Sequence, residues 1–227
     1  MRQNCVSLYW VHEKVSRDLG SRFKIIFDFF CIFEICFFYR FLKYIHNFYG
    51  YGNLNSSFWF ISLEEGGVNS AEEIQRRLNT WNNRGCKELE ECRSFHLEFG
   101  KGEWVGLIEN KPQKVRLQST WKMYIRLFFY ASNNRKFIES KEQNEIIRRY
   151  QRDNFGKSNG DMCIMELRPL PSKNLSTWLY KDISNLSFLK SKELYEEYVD
   201  NFRIKDLKNK IIRCRNQLEV PFWISSE

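Results

Sequence analysis

A chain of 227 residues is long enough for one domain with a substantial core, and 43% hydrophobic with 28% charged residues excludes an intrinsically disordered protein. The formal net charge of +8 is compatible with a nucleic-acid or anionic-membrane partner. The seven cysteines form no C-x-x-C pair and the three histidines are dispersed, so no metal site is indicated. We expect reduced thiols, no cofactor and a cytoplasmic protein.

The run FKIIFDFFCIFEICFFYRF, Phe23 to Phe41, is the one segment with the apolar character of a membrane span. Its Phe and Ile side chains contribute roughly −4 to −7 kcal/mol of transfer free energy, and Asp28 and Glu34 cost about 2.5 to 3.5 kcal/mol each. Because these contributions nearly cancel, the run favours a helix packed on the core or on a partner, with membrane contact as the alternative.

Helical spacing of aromatic residues continues from this run to Phe48, and Gly50 and Gly52, with Asn53 and Asn55, predict a turn after it. Residues 1–48 are therefore expected to form an aromatic-rich helical segment packed on an α/β domain of residues 49–227. Because no stretch has the composition of a linker, we expect one domain overall.

The first element of the α/β part is a dense apolar run from Ser56 to Leu63, which predicts a strand buried on both faces. A helix is predicted to follow, because Ser70 and Glu73 have the spacing of a capping box. Its apolar face consists of Ile74, Leu78 and Trp81.

Later segments alternate between helical patterns and apolar runs. The predicted helices are Lys87–Phe99, Thr120–Ala131, a helix capped by Ser140 with Gln143 as its capping-box partner, and Ser191–Arg215. A loop or hairpin is expected from Gly100 to Ser119. A second buried strand, Met162 to Leu167, is predicted to stop at Pro169 and Pro171, and LEVPFWISSE begins another apolar run.

Strands separated by helices predict an α/β fold with a parallel sheet, in which ligands bind outside the carboxyl ends of the strands. Two such ends are recognisable, one after Leu63 and one from Glu166 onward. The candidate site residues at these two ends are Glu64, Glu65, Gly66, Gly67, Glu166, Arg168, Pro169, Pro171 and Ser172.

Glu64 and Glu65 have the chemistry to activate a water or to bind a divalent metal ion, and the two glycines would let a ligand approach the backbone. The acids would repel a phosphate, and neither a dinucleotide-binding nor a P-loop motif occurs. The alternative interpretation is structural: both acids pair with Arg168 or accept hydrogen bonds from backbone amides. The sequence is equally consistent with Arg168 in a salt bridge and with Arg168 in contact with a ligand.

Other polar and aromatic residues have weaker signals. Arg148, Arg149 and Arg152 are interpreted as a phosphate-contacting patch or as a solvated helix face, and His96 as a structural or surface histidine. Helical spacing makes core packing the default for the aromatic residues that could stack on a base, which are Trp121, Trp178 and Tyr180.

The chain resembles a family of uncharacterised bacterial proteins with an F-(I/V)-G-M-E-E-G-G signature in the pieces FWFISLEEGG, QSTWKMYIRLFF, YQRDNFG, GDMCIMELRPLPS and TWLY. The layout of that family is similar to the uracil-DNA glycosylase superfamily, where the first core strand ends in a glycine-containing loop whose acid or amide positions the attacking water. The resemblance covers roughly Phe41 to Cys214. It implies a three-layer sandwich with a short, mostly parallel sheet.

The resemblance also implies residue roles. Glu64 or Glu65 would activate the water, and Glu166 to Ser172 would line the pocket for a flipped base. Ser62 stands where the family usually has glycine. No histidine-containing loop follows LEVPFWISSE, so the resemblance implies a fold that is incomplete at the C-terminus and an inactive or truncated relative.

The leading hypothesis is a protein that binds DNA, another nucleic acid or a nucleotide and is related to base-excision glycosylases; if active, it would hydrolyse an N-glycosidic bond. One alternative is a non-catalytic interaction or membrane-associated protein that uses the N-terminal aromatic helix. Another is a metal-dependent hydrolase that uses Glu64, Glu65 and Glu166.

Overall fold

The computed structural model describes residues 38–67, 70–100, 106, 115–172, 178–182, 186–214 and 220–223. The chain divides into two compact units, Met1–Lys43 and Tyr44–Glu227. Of the first unit only residues 38–43 are described, and they are helical. Most of the Phe23–Phe41 run and of the predicted Gly100–Ser119 loop lies outside the described residues. In the described part of the chain, no helix has the length and apolar character needed to cross a membrane.

The described residues of the second unit form a five-stranded mixed sheet with the order β3-β1-β4-β2-β5. β2 is parallel to both β4 and β5, β1 is parallel to β3, and β1 is antiparallel to β4. The α/β prediction is therefore confirmed, with one antiparallel ladder in a mostly parallel sheet. The strands are β1 Gly50–Gly52, β2 Phe58–Gly66, β3 Leu89–Glu90, β4 Met162–Ser172 and β5 Val220–Trp223.

Helices cover both faces of this sheet. Residues 44–47 are helical, and short 3₁₀ helices occur at Leu179–Asp182 and Ser187–Leu189. The longer helical elements are α1 Ala71–Asn83, α2 Cys92–Phe99, α3 Ser119–Ala131, α4 Arg135–Ile138, α5 Gln143–Asp153 and α6 Lys192–Cys214.

The two faces of β2 carry different partners because successive side chains of a strand point to opposite sides. Trp59 and Ile61 share a buried cluster with Leu207 of α6. Phe60 stacks on Tyr124 of α3, and Phe58 meets Phe128 edge-on. The sheet is therefore a middle layer between α6 and α3, as expected for an α/β sandwich.

The start of α1 follows the predicted capping box. The Ser70 hydroxyl accepts a hydrogen bond from the backbone N–H of Glu73 at 3.3 Å, and the predicted apolar face is buried. This start is fixed locally, since the cap satisfies a backbone donor that no helical carbonyl reaches.

Two other predicted helix starts are wrong. Leu89–Glu90 of the predicted Lys87–Phe99 helix is a strand beside β1, and the helix begins only at Cys92, where the Glu91 carboxylate caps it. Ser140 accepts from the backbone N–H of Glu142 in a turn before α5 and does not cap that helix. In both places tertiary pairing or turn geometry overrides the local pattern.

The predicted turn begins later than expected: Gly50 and Gly52 belong to strand β1, and the turn lies at residues 54–55, where the N–H of Ser56 donates to the carbonyl of Asn53 at 3.1 Å. Both glycines have positive φ, +135° and +104°. A Cβ atom at either position would overlap a backbone carbonyl of β4, that of Ile164 or Met162. Glycine is required here because the two backbones approach closely, and this requirement has the same sequence signal as a turn.

Both long strands extend beyond their predicted ends, so the prediction that the prolines stop the second one is also wrong. β4 continues through Pro169 and Pro171 to Ser172. The N–H of Glu166 donates to the carbonyl of Tyr49 and that of Leu170 to Tyr195 Oη, so the two prolines occupy the alternate positions, which face β2 where the ladder is irregular. The register also shifts there, since Glu64 pairs with Arg168 whereas Gly66 pairs with Ser172.

Candidate functional site at the carboxyl edge of β2 and β4

The two carboxyl ends singled out in the sequence are neighbours. Beyond the paired Glu64 and Arg168, the N–H of Gly67 donates to the carbonyl of Ser172 at 3.3 Å. No described atom lies within 4 Å of the place that a Cβ would take at Gly66, so the backbone there is open on its side-chain side. The structure thus brings most of the candidate residues to one edge of the sheet.

Glu65 lies in a buried cluster on the side of α1 and α2. Its Oε2 accepts hydrogen bonds from Tyr51 Oη at 2.8 Å and from Arg77 Nη1 at 2.6 Å. Its Oε1 lies 2.9 Å from His96 Nε2. All four side chains are buried. Glu65 is therefore held by three donors from three different elements.

The charges of this cluster follow from its hydrogen bonds. Burial alone would raise the pKa of Glu65, but the charges of Arg77 and His96 outweigh burial and hold that pKa well below its usual range. His96 Nδ1 lies 2.7 Å from the carbonyl oxygen of Cys92, so both ring nitrogens face oxygen acceptors. Glu65 is thus an ionised anchor and a weak base.

Glu64 points to the opposite side of the sheet. Its Oε1 accepts from Lys192 Nζ of α6 at 2.7 Å. Its Oε2 is buried and has no hydrogen-bond partner among the described residues. A buried carboxylate oxygen without a donor costs free energy, which a bound water or ligand donor would recover. Glu64 is therefore the acid of the pair that retains unused binding capacity.

Aromatic rings next to α6 support the end of β4. Tyr195 Oη accepts from the N–H of Leu170 at 3.0 Å, and Tyr180 Oη donates to the carbonyl of Pro171 at 2.8 Å. Trp178 packs against both rings, with centroids 4.7 Å and 5.0 Å away. Tyr180 and Tyr195 are fully buried and unavailable to a ligand, whereas Trp178 is half-buried.

Glu166 is a second buried carboxyl group, on the face of β4 that lies toward α3. Ser62 Oγ donates to its Oε2 at 2.6 Å. Burial, with a further contribution from the negative charge of Glu65, raises the pKa of Glu166 to about 8, although Ser62, Arg77 and Arg203 act in the opposite direction. At neutral pH Glu166 is mainly protonated, and it lies in the core below the edge where a ligand would bind.

The candidate cations are engaged with acids. Arg168 forms salt bridges of 2.6 Å with Glu196 and 3.0 Å with Asp200, both on α6, and does not bridge to Glu64 or Glu65. On α5, Arg148 and Arg149 lie near Glu145, and Arg152 pairs with Asp153. Arg168 is thereby held toward α6, whereas Arg148 and Arg149 share a single acid and Arg149 is exposed on α5.

The partners of the two acids were missed by reasoning from the sequence. Arg77 and Lys192 were not singled out, Tyr51 was assigned to a turn, and His96 was not linked to Glu65. A signal existed for Arg77, which lies between Ile74 and Trp81 on the otherwise apolar face of α1. A cation at a position that helical spacing assigns to the core requires a buried acid.

Two further findings bear on the identity of the site. Within the described ranges, no three or more His, Cys, Asp or Glu side chains are grouped so that they could hold a metal ion. Comparison of the chain with protein-family models, with curated proteins and with solved structures finds no match in any of the three. The function must therefore be argued from the site itself.

Proposed function

We propose that the chain binds a nucleobase or nucleotide at the carboxyl edge of β2 and β4, in a fold of the uracil-DNA glycosylase type. Support comes from the three parallel strands β4-β2-β5, with a helical connection between β2 and β4 and α6 between β4 and β5. This is the strand layout that the sequence resemblance implies. The carboxyl edge of such a sheet is where ligands bind.

The observation that carries the proposal is the buried Oε2 of Glu64, which lacks a donor among the described residues. Lys192 fixes the other oxygen at 2.7 Å and so directs the carboxylate. A pyrimidine base offers N–H donors of the kind this oxygen accepts. Trp178, half-buried beside the end of β4, supplies a ring on which a base can stack.

The chemical step that this geometry supports is hydrolysis of an N-glycosidic bond. A water held by Glu64 Oε2 attacks the sugar carbon, and its proton passes to the carboxylate. The new carbon–oxygen bond replaces the carbon–nitrogen bond, whose electron pair leaves with the base. Glu65 contributes by fixing the strand through Arg77 and His96, and it accepts no proton because its pKa is lowered.

Two measurements test the proposal together. Uracil-containing single- and double-stranded DNA is incubated with the full chain and then cleaved with alkali to reveal abasic sites, while binding of uracil and deoxyuridine monophosphate is followed by NMR. We expect Glu64→Gln to remove excision and to weaken binding at least about tenfold. Glu193→Gln, an exposed acid on the same helix as Lys192, is the matched control.

Each outcome tests a different part of the proposed function. Excision that requires Glu64 supports the enzymatic form, and binding without abasic sites supports a binding protein only. If neither uracil nor the nucleotide binds, or if Glu64→Gln behaves as Glu193→Gln does, the proposal is wrong.

A further inference from the structure

A groove runs along the outer face of α3, away from the carboxylates of the sheet. It has a volume of about 380 Å³. Met123 and Tyr130 are 40% and 50% exposed in it, although both are large apolar side chains. The α3 groove is lined by Ser119, Lys122, Met123, Arg126, Leu127 and Tyr130.

The α3 groove is positively charged. Its described lining residues include Lys122 and Arg126 and no acidic residue. Neither cation forms an ion pair with a described residue; Arg126 Nη2 only contacts the amide oxygen of Gln143 at 3.4 Å. Further exposed cations follow at Arg135 and Lys136 on α4. The cations of the α3 groove differ in this respect from those of α5, where Arg148 and Arg149 have an acidic neighbour.

The direction of α3 relates the groove to the sheet edge. Tyr124, early in α3, stacks on Phe60, and Phe128, one turn later, meets Phe58 near the start of β2. The helix is therefore antiparallel to β2, and its Ser119 end lies toward the carboxyl edge. Thirteen helical residues span about 20 Å, enough to follow several phosphates of a chain.

We propose that the α3 groove binds the sugar–phosphate backbone of a single-stranded nucleic acid. Lys122 and Arg126 contact successive phosphates, and a base stacks on the exposed ring of Tyr130. Two cations followed by an exposed aromatic ring, at a spacing of four residues on one helix face, suit a strand whose bases are accessible. This proposal does not depend on the role of Glu64.

An acidic protein helix is the other anionic partner that such a surface could take. Helix-in-groove recognition relies on a continuous apolar strip that buries anchor residues every three to four positions. Among the described residues that line the α3 groove, only Met123 and Leu127 are aliphatic, and cations flank them. The balance of charge and apolar surface therefore favours nucleic acid.

The test measures binding of a fluorescein-labelled oligothymidylate to the full chain by anisotropy, between about 50 and 200 mM NaCl. We expect the combined Lys122→Gln and Arg126→Gln variant to reduce the slope of log K against log salt by about 1.4, since each phosphate contact on a single strand contributes about 0.7. Lys205→Gln with Lys208→Gln, two exposed cations on α6, removes the same charge elsewhere and should leave that slope unchanged.

The stacking contact is tested separately. Tyr130→Ala should weaken oligothymidylate binding about fivefold or more, whereas Tyr130→Phe should retain it. Urea denaturation of each variant shows that the fold is kept, as expected for a side chain that is 50% exposed.

Two results would overturn the inference: equal slopes for the α3 and α6 double variants, or competition by polyglutamate as effective as that by unlabelled oligothymidylate. Glu64→Gln separates this inference from the proposed function. We expect it to leave oligothymidylate binding intact even if it removes binding of uracil. If Glu64→Gln removes oligonucleotide binding and the α3 variant does not, the site at the sheet edge holds the strand and the groove does not.

Discussion

Glu64 and Glu65 are adjacent in the sequence and differ in almost every structural respect. Glu65 accepts from Tyr51 and Arg77 and pairs with His96 inside the core. Glu64 has one oxygen on Lys192 and one without a donor in the described structure. Because a strand sends neighbouring side chains to opposite faces, identical acids meet different environments. A carboxylate saturated with donors stabilises the fold, and one that is partly satisfied is available to a ligand.

The largest loss of stability is expected when the hydrogen-bonded cluster around Glu65 is broken. Arg77→Met removes the guanidinium that pairs with the buried Glu65 carboxylate at 2.6 Å. We expect the free energy of unfolding to fall by about 3–5 kcal/mol, because an uncompensated buried charge is costly. Urea denaturation at pH 7 measures this.

The companion variant for this prediction is Glu65→Gln combined with Arg77→Met, which removes both charges and should recover part of the lost stability. A loss below about 1 kcal/mol for Arg77→Met alone would show that the cluster does not stabilise the fold.

The protonation of the core carboxyl groups gives a second test. The folded pKa of Glu166, about 8, lies above its ordinary value of 4.5, so the folded state retains a proton that the unfolded chain releases. The free energy of unfolding should therefore fall from pH 4.5 to pH 8, by up to about 1.4 kcal/mol per pH unit. The lowered pKa of Glu65 has the opposite sign and acts only as pH falls below its unfolded value.

Glu166→Gln should remove this loss. Between pH 5 and pH 8, we expect the variant to lose at least about 1 kcal/mol less stability than the parent chain. Urea denaturation at both pH values measures the difference, and parallel pH profiles for the two proteins would refute the assignment of a neutral Glu166.

A smaller loss of stability is expected when the N-cap of α1, the helix that carries Arg77, is removed. Ser70→Ala removes the N-cap of α1 without altering any charge, so the free energy of unfolding should fall by about 1 kcal/mol. If Ser70→Ala costs as much as Arg77→Met, fraying of α1 accounts for both losses, and the buried ion pair needs no role. Thermal denaturation monitored by circular dichroism distinguishes the two results.

The smallest change in stability is expected from a substitution of Glu64, whose second carboxylate oxygen has no donor in the described structure. Glu64→Gln removes the counter-charge of Lys192 but keeps a neutral acceptor for it, and an amide N–H₂ group replaces the unpaired carboxylate oxygen, so stability should change by about 1 kcal/mol or less. A loss comparable to that of Arg77→Met would mean that Glu64 is as structural as Glu65, and the contrast between the two acids would disappear.

Elements with strong local signals were predicted well. The Ser70 cap, the helix at Thr120–Ala131 and the long helix near Ser191 agree with α1, α3 and α6. Errors arose where a residue type has two physical uses. Glycines at Gly50 and Gly52 indicated a turn, although they serve a close approach of two strands.

The candidate site was located by the sequence in part. Two strand ends and their acids were identified, and the structure brings those ends together. The sequence could not assign different roles to Glu64 and Glu65, because their partners Arg77, His96 and Lys192 lie 12, 31 and 128 residues away along the chain. Side chains so distant in sequence meet only through the order of the strands and the packing of the helices.

By itself, the sequence determined the α/β class, the N-cap of α1, the apolar faces of individual helices, and the presence of two adjacent acids at a strand end. These depend on hydrogen bonds and periodicities within a few residues. The tertiary structure alone decided the strand order, the continuation of β4 through its prolines, and which acid is saturated. Burial and hydrogen-bond donors from distant elements set these properties, because in the core a carboxylate has only the partners that the fold supplies.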